Sequence, residues 1–103
     1  MKNYILLYFS GGNETSIPRE EINSFWMAWF QSISDSLVDS GNPFDEEGRT
    51  VTRTGSETIS GHKAGGYTII KASDMEGAIK VASSCPILQI PGASVQVYET
   101  QPM

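Results

Sequence analysis

Apolar positions along this chain fall into three patterns, and each predicts a different element. Residues 4–9, Tyr4-Ile5-Leu6-Leu7-Tyr8-Phe9, are apolar throughout. Such a run is too short for a helix and reads as a strand buried on both faces. Ser10-Gly11-Gly12-Asn13 ends it. A second pattern, at helical spacing, occupies residues 18–40: Ile22, Trp26, Trp29, Ile33 and Leu37 form a stripe that Phe25 and Phe30 widen. Pro18 suits a first helical turn, Glu20 and Glu21 suit the positive end of the helix dipole, and Gly41 suits the position just past the end. The third pattern is alternation. Arg49-Thr50-Val51-Thr52-Arg53-Thr54 predicts an exposed edge strand, a turn starts at Gly55-Ser56, and residues 57–60 can pair back as a short ribbon.

The second half repeats these signals. Gly65-Gly66 precedes a strand at residues 67–71, Tyr67-Thr68-Ile69-Ile70-Lys71. Ser73 and Glu76 have the spacing of a capping box, opening a helix over residues 74–84. Met75, Ala78, Ile79, Ala82 and Cys85 follow helical spacing, and Pro86 stops it. Pro91-Gly92 turns the chain into a last strand at residues 93–99, with Val95 and Val97 on one face and Gln96 and Tyr98 on the other. Strand, helix, strand, ribbon, strand, helix, strand is the split βαβ order. The predicted class is α+β, a ferredoxin-like βαββαβ domain with an antiparallel-type mixed sheet and both helices on one face. The two most apolar strands, 4–9 and 67–71, are expected side by side and parallel at the centre.

Strand 4–9 has no polar side, so the sheet face that the helices leave bare must meet water or a partner. Monomers rarely expose large apolar patches. A homodimer packed through the open sheet face follows as the expected assembly.

Composition narrows the class of partner. With 103 residues the chain is read as one domain, 1–103. Seven Lys and Arg against twelve Asp and Glu give a net charge of −5. An acidic surface repels phosphate backbones, so nucleic acid is not expected. No segment is long and apolar enough for a membrane span or shaped as a signal peptide, so no membrane partner and a cytoplasmic location are expected. Cys85 is the one cysteine, so no disulfide can form within the chain.

Few residues carry candidate chemistry. His62 is the one histidine, in a Gly-rich loop that opens onto a central strand, and is the candidate general acid or base. Trp26, Trp29, Ser60, Gly61 and Tyr67 are the candidate ligand-binding residues, in a cleft where the loop over residues 60–66 approaches the long helix. One histidine and one cysteine make no zinc site, and Asp45-Glu46-Glu47-Gly48 does not match a calcium loop, so no metal and no cofactor are expected. Gly11-Gly12-Asn13 lacks phosphate-loop spacing and reads as a turn.

The stretches Gly41-Asn42-Pro43, Gly48-Arg49-Thr50-Val51, Gly65-Gly66-Tyr67-Thr68-Ile69-Ile70-Lys71 with the capped helix after it, Ser84-Cys85-Pro86 and Val95-Gln96-Val97 resemble the YCII-related family, in its DGPF-domain branch. The opening Met1-Lys2-Asn3-Tyr4-Ile5-Leu6-Leu7 fits as well. The resemblance covers nearly the whole chain and implies a dimeric α+β barrel. The branch carries an Asp-Gly-Pro-aromatic segment shortly before Gly-Gly-Tyr; here that interval reads Thr58-Ile59-Ser60-Gly61-His62-Lys63-Ala64. Enzymatic activity is suspected in the family from an Asp–His pairing in a cleft, and this chain lacks that aspartate. Three functions stay open: a small-molecule binding or sensing domain, an enzyme using His62-centred acid–base chemistry, and a structural or regulatory interaction dimer. Whether the chain is an enzyme is left undecided.

Overall fold

A four-stranded sheet with two helices on one face forms the body of the protein. The structure is a computed structural model that describes residues 1–10, 19–45, 47–61 and 63–102, with Arg19 described by its backbone alone. The elements are β1 (Lys2–Phe9), α1 (Arg19–Ser32), β2 (Leu37–Asp39), β3 (Arg49–Thr52), β4 (Gly55–Thr58), β5 (Ala64–Ala72), α2 (Met75–Ala82), a 3₁₀ turn at Pro86–Gln89, and β6 (Ser94–Glu99). Strand order in the sheet is β2-β5-β1-β6. The expected turn at 11–13, Pro18 and His62 lie outside the described residues.

The two most apolar strands are neighbours at the centre, as expected, but they run antiparallel, and so do the other adjacent pairs of this sheet. The reason is connectivity. Each helix crosses between two strands that share a direction, β1 with β2 and β5 with β6. The centre pairs one strand from each unit, and the connection from β2 to β5 reverses the chain between them.

The first helix is shorter than its periodicity predicts. It ends at Ser32, not Ser40. Ser32, Ser34, Asp35 and Ser36 are poor helix formers that compete for the backbone. Ser32 Oγ donates to the Trp29 carbonyl at 2.7 Å, and Ser36 N donates to the Ile33 carbonyl at 2.8 Å, a tighter, 3₁₀-type closure. The chain then forms β2, a three-residue edge strand against β5. Leu37 still reaches the core, from a strand instead of a helix. The expected ribbon forms, with its return strand two residues earlier than predicted: β3 pairs with β4 in a separate two-stranded hairpin. Asp74, not Ser73, caps α2: its Oδ1 accepts from Gly77 N at 2.8 Å. That one-residue shift replaces the Ser–Glu box by an Asp cap.

Tyr4, Leu6 and Tyr8 from β1 and Ile70 and Ala72 from β5 bury their side chains under Trp29 and Ile33 of the first helical segment and Ala78 and Ala82 of α2. Both helices therefore cover the same face. On the opposite face Ile5, Leu7, Phe9 and Ile69 are half-buried, shielded by their cross-strand neighbours. No described helix is long and apolar enough to cross a membrane.

Candidate ligand-binding site

Two glycine segments from distant parts of the chain build the wall of a cavity. Gly41 adopts φ +76°, and a Cβ there would lie 1.8 Å from the Tyr67 carbonyl oxygen. Only glycine fits that approach and that backbone conformation together. Asp39 Oδ1 accepts from Gly41 N at 2.8 Å and fixes the turn after β2. Gly41 is therefore a turn residue after a strand rather than the helix terminator the sequence predicts. Pro43 then forms an isolated antiparallel bridge with Gly66, and Phe44 N donates to the Gly65 carbonyl at 2.8 Å. A Cβ on Gly66 would meet the Asn42 carbonyl oxygen at 3.1 Å. The two segments thus lie backbone against backbone, which side chains would prevent.

Between this wall and α1 lies a cavity of about 380 Å³. That volume falls in the range of small-molecule sites. Trp26 and Phe30 from α1 and Tyr8 from β1 supply aromatic surface. Their rings support one another: Tyr8 meets Trp26 edge-on at 5.0 Å between centroids, and Trp26 lies 5.7 Å from Phe30. Tyr67 lines the cavity too, and its ring stacks on Phe44 at 5.9 Å. Ile87, from the 3₁₀ turn, closes one side.

A chain of hydrogen bonds runs through the floor. Tyr8 Oη donates to Thr68 Oγ1 at 2.6 Å, and Thr68 Oγ1 donates to the Ser40 carbonyl at 2.9 Å. The Cys85 thiol sits against the Tyr8 hydroxyl. Burial pushes the thiol up to about 11, offset in part by a backbone hydrogen bond at Ile87 and by Tyr8. Burial also pushes the Tyr8 hydroxyl above the ordinary tyrosine range, with the Thr68 hydrogen bond acting the other way. Both groups are neutral near pH 7. This polar chain satisfies itself, as buried polar groups must.

The candidate residues separate in space. Trp26 and Tyr67 share the cavity. Trp29 packs behind Trp26 at 5.7 Å, and its indole N–H donates to Ser84 Oγ at 2.8 Å, tying α1 to the end of α2. Ser60 and Gly61 are exposed and line neither this cavity nor a second hollow at the hairpin root, bounded by Phe44, Ile59 and Lys63. His62 lies outside the described residues. Tyr8, Phe30, Thr68, Asn23, Asn42 and Gly41 line the cavity without having been singled out for it in the sequence. The Gly-Asn-Pro and Gly-Gly-Tyr segments were the available signal, but only the fold brings them together. Among the described residues no cluster of His, Cys, Asp or Glu could hold a metal ion.

Compared with known protein families and with curated proteins, the chain matches no family and no curated relative.

Proposed function

We propose that this chain is a YCII-related, homodimeric domain of ferredoxin-like topology that binds a small molecule in the cavity between α1 and the Gly65-Gly66 edge of β5. The observation that carries the reading is the cavity itself. It is about 380 Å³, walled by aromatic rings, and held open by two backbone segments in which glycine is required at Gly41. A fold that needed only a core would fill such a space, since interiors pack densely.

Two features support the dimer. Ile5, Leu7 and Ile69 present an apolar sheet face that no described helix covers. All eight strand residues of the β3–β4 hairpin are exposed, and a lone two-stranded hairpin is marginal in water. The radius of gyration, 14.7 Å, exceeds the about 13 Å of a compact chain this long, consistent with an arm and a face shaped for a second copy.

Amide NMR spectra recorded against a library of neutral and charged metabolites test the binding reading. A true ligand moves Gly65, Gly66 and the Trp26 indole together. Hits that map only to the hairpin or the open sheet face would overturn it. Light scattering tests the assembly separately: the expected mass is twice that of the chain, and Leu7→Arg should yield monomer or aggregate because an unpaired charge in an apolar interface is costly. A wild-type monomer at micromolar concentration counts against the dimer while leaving the cavity untouched.

A further inference from the structure

Resting on the reading of the cavity as a ligand site, we infer that its ligand is an uncharged ring compound bearing an amide-like donor–acceptor pair, such as a carboxamide or a lactam. Three observations lead there.

The first is the absence of charged residues from the described lining. Nineteen of the chain's 103 residues are Asp, Glu, Lys or Arg, yet none lines the cavity among the described residues. An anionic ligand would leave its charge unpaired in an apolar site and would approach a protein of net charge −5. The second is the state of the rings. A cation held by aromatic faces needs those faces free and converging on one point. Here the ring of Trp26 is engaged by Tyr8, Trp29 and Phe30, and that of Tyr67 by Phe44. They give the cavity apolar walls, which suit a neutral ring.

The third is the supply of polar groups. The hydroxyl protons of Tyr8 and Thr68 are committed to the chain that ends on the Ser40 carbonyl. Asn23 and Asn42 line the cavity, and neither side chain hydrogen-bonds to a described residue. Each primary amide offers both a donor and an acceptor. The matching ligand group offers the same pair in reverse.

Three probes of one size and shape test this: benzamide, benzoate and benzylamine, which at pH 7 are neutral, anionic and cationic. Each is titrated into the ¹⁵N-labelled full chain. The Trp26 indole reports the cavity. The Trp29 indole, bonded to Ser84, serves as an internal control. Benzamide should bind at least about tenfold more tightly than either charged probe, a gap smaller than the penalty of an unpaired buried charge allows. It should move the Trp26 indole and the Gly65 and Gly66 amides with little change at Trp29. Asn23→Ala sits on an exposed helical position, where alanine is well tolerated. It should weaken benzamide by about threefold to tenfold, the worth of one hydrogen bond, and leave toluene binding unchanged. If benzoate or benzylamine binds as well as benzamide at the same resonances, the ligand class is wrong and the cavity reading stands. An unchanged benzamide affinity in Asn23→Ala also overturns the class. If none of the probes moves Trp26, both the class and the site fall.

Discussion

The two faces of the central sheet are made by the same strands and differ by alternate residues. On one, Tyr4, Leu6, Tyr8, Thr68 and Ile70 are buried under two helices, and a polar chain from Tyr8 through Thr68 to Ser40 is satisfied internally. On the other, Ile5, Leu7 and Ile69 are just as apolar, but no described helix covers them. Apolar content does not distinguish the faces. What distinguishes them is whether a described helix supplies the cover. Stability within the chain should therefore reside in the helix-covered face, and assembly in the other.

The largest expected effect comes from a pair of adjacent leucines. Leu6→Ala removes a fully buried side chain and should cost about 2–5 kcal/mol, by lost transfer energy plus a cavity. Leu7→Ala, one residue along and on the opposite face, should cost under about 1 kcal/mol when measured at nanomolar protein, where the partner is gone. Urea unfolding at two protein concentrations reads both. Equal costs at the lower concentration would mean that the open face is buried within the chain, and the contrast between the faces would collapse.

Much of the covered face was legible in the sequence. Residues 4–9 and 67–71 are apolar enough to predict central strands, and those strands are neighbours. Their relative direction was not legible from composition, because it depends on where the connection reverses the chain. Leu37 shows the limit of periodicity. Its place in the helical stripe predicts contact with the core correctly and the element wrongly, because a three-residue strand leaves no pattern of its own and a cluster of serines, not a proline, ends the helix. Trp26 and Tyr67 could be proposed for a cavity because aromatics attract attention in any sequence. Thr68 could not, since a threonine amid apolar strand residues gives no sign that its hydroxyl bridges Tyr8 and Ser40. The Gly41–Tyr67 contact joins segments that are distant in sequence, and a glycine's neighbours in space are invisible to a linear pattern.

The next effect in size sharpens the contrast through pH. The Cys85 thiol, with its pKa raised by burial to about 11 from an ordinary value of 9.0, belongs to the covered face. A raised folded-state pKa means that the neutral form is favoured by folding. Below pH 9 neither state ionises and the contribution is fully present. As pH rises from about 9 to about 11 the unfolded thiol ionises first, and stability falls by on the order of 2 kcal/mol. Tyr8 and Tyr4 extend the loss above pH 10, since burial raises both, Tyr4 with the Glu99 carboxylate adding to the shift although its hydroxyl has no hydrogen-bond partner among the described residues. Unfolding curves at stepped pH should show this alkaline decline, and Cys85→Ala should flatten its portion between pH 9 and 11. A variant that keeps the full decline there would place its origin elsewhere.

The smallest effect probes how α1 is fastened over that face. The Trp29 indole N–H donates to Ser84 Oγ at 2.8 Å, and Ser84 Oγ in turn donates to the Val81 carbonyl at 2.7 Å. Ser84→Ala removes both bonds and leaves the indole donor without its partner. Ser84 is exposed, so water can reach the vacated position and the cost should stay near about 1 kcal/mol, well below that of a sealed donor. Trp29 itself remains buried, so its hydrophobic contribution is kept. The expected signature is a small drop in the urea midpoint with an unchanged slope, together with a shift of the Trp29 indole proton and none at Trp26. A loss of several kcal/mol would mean that this one side-chain bond, and not the packing of Trp29 and Ile33 on the sheet, holds the helix in place.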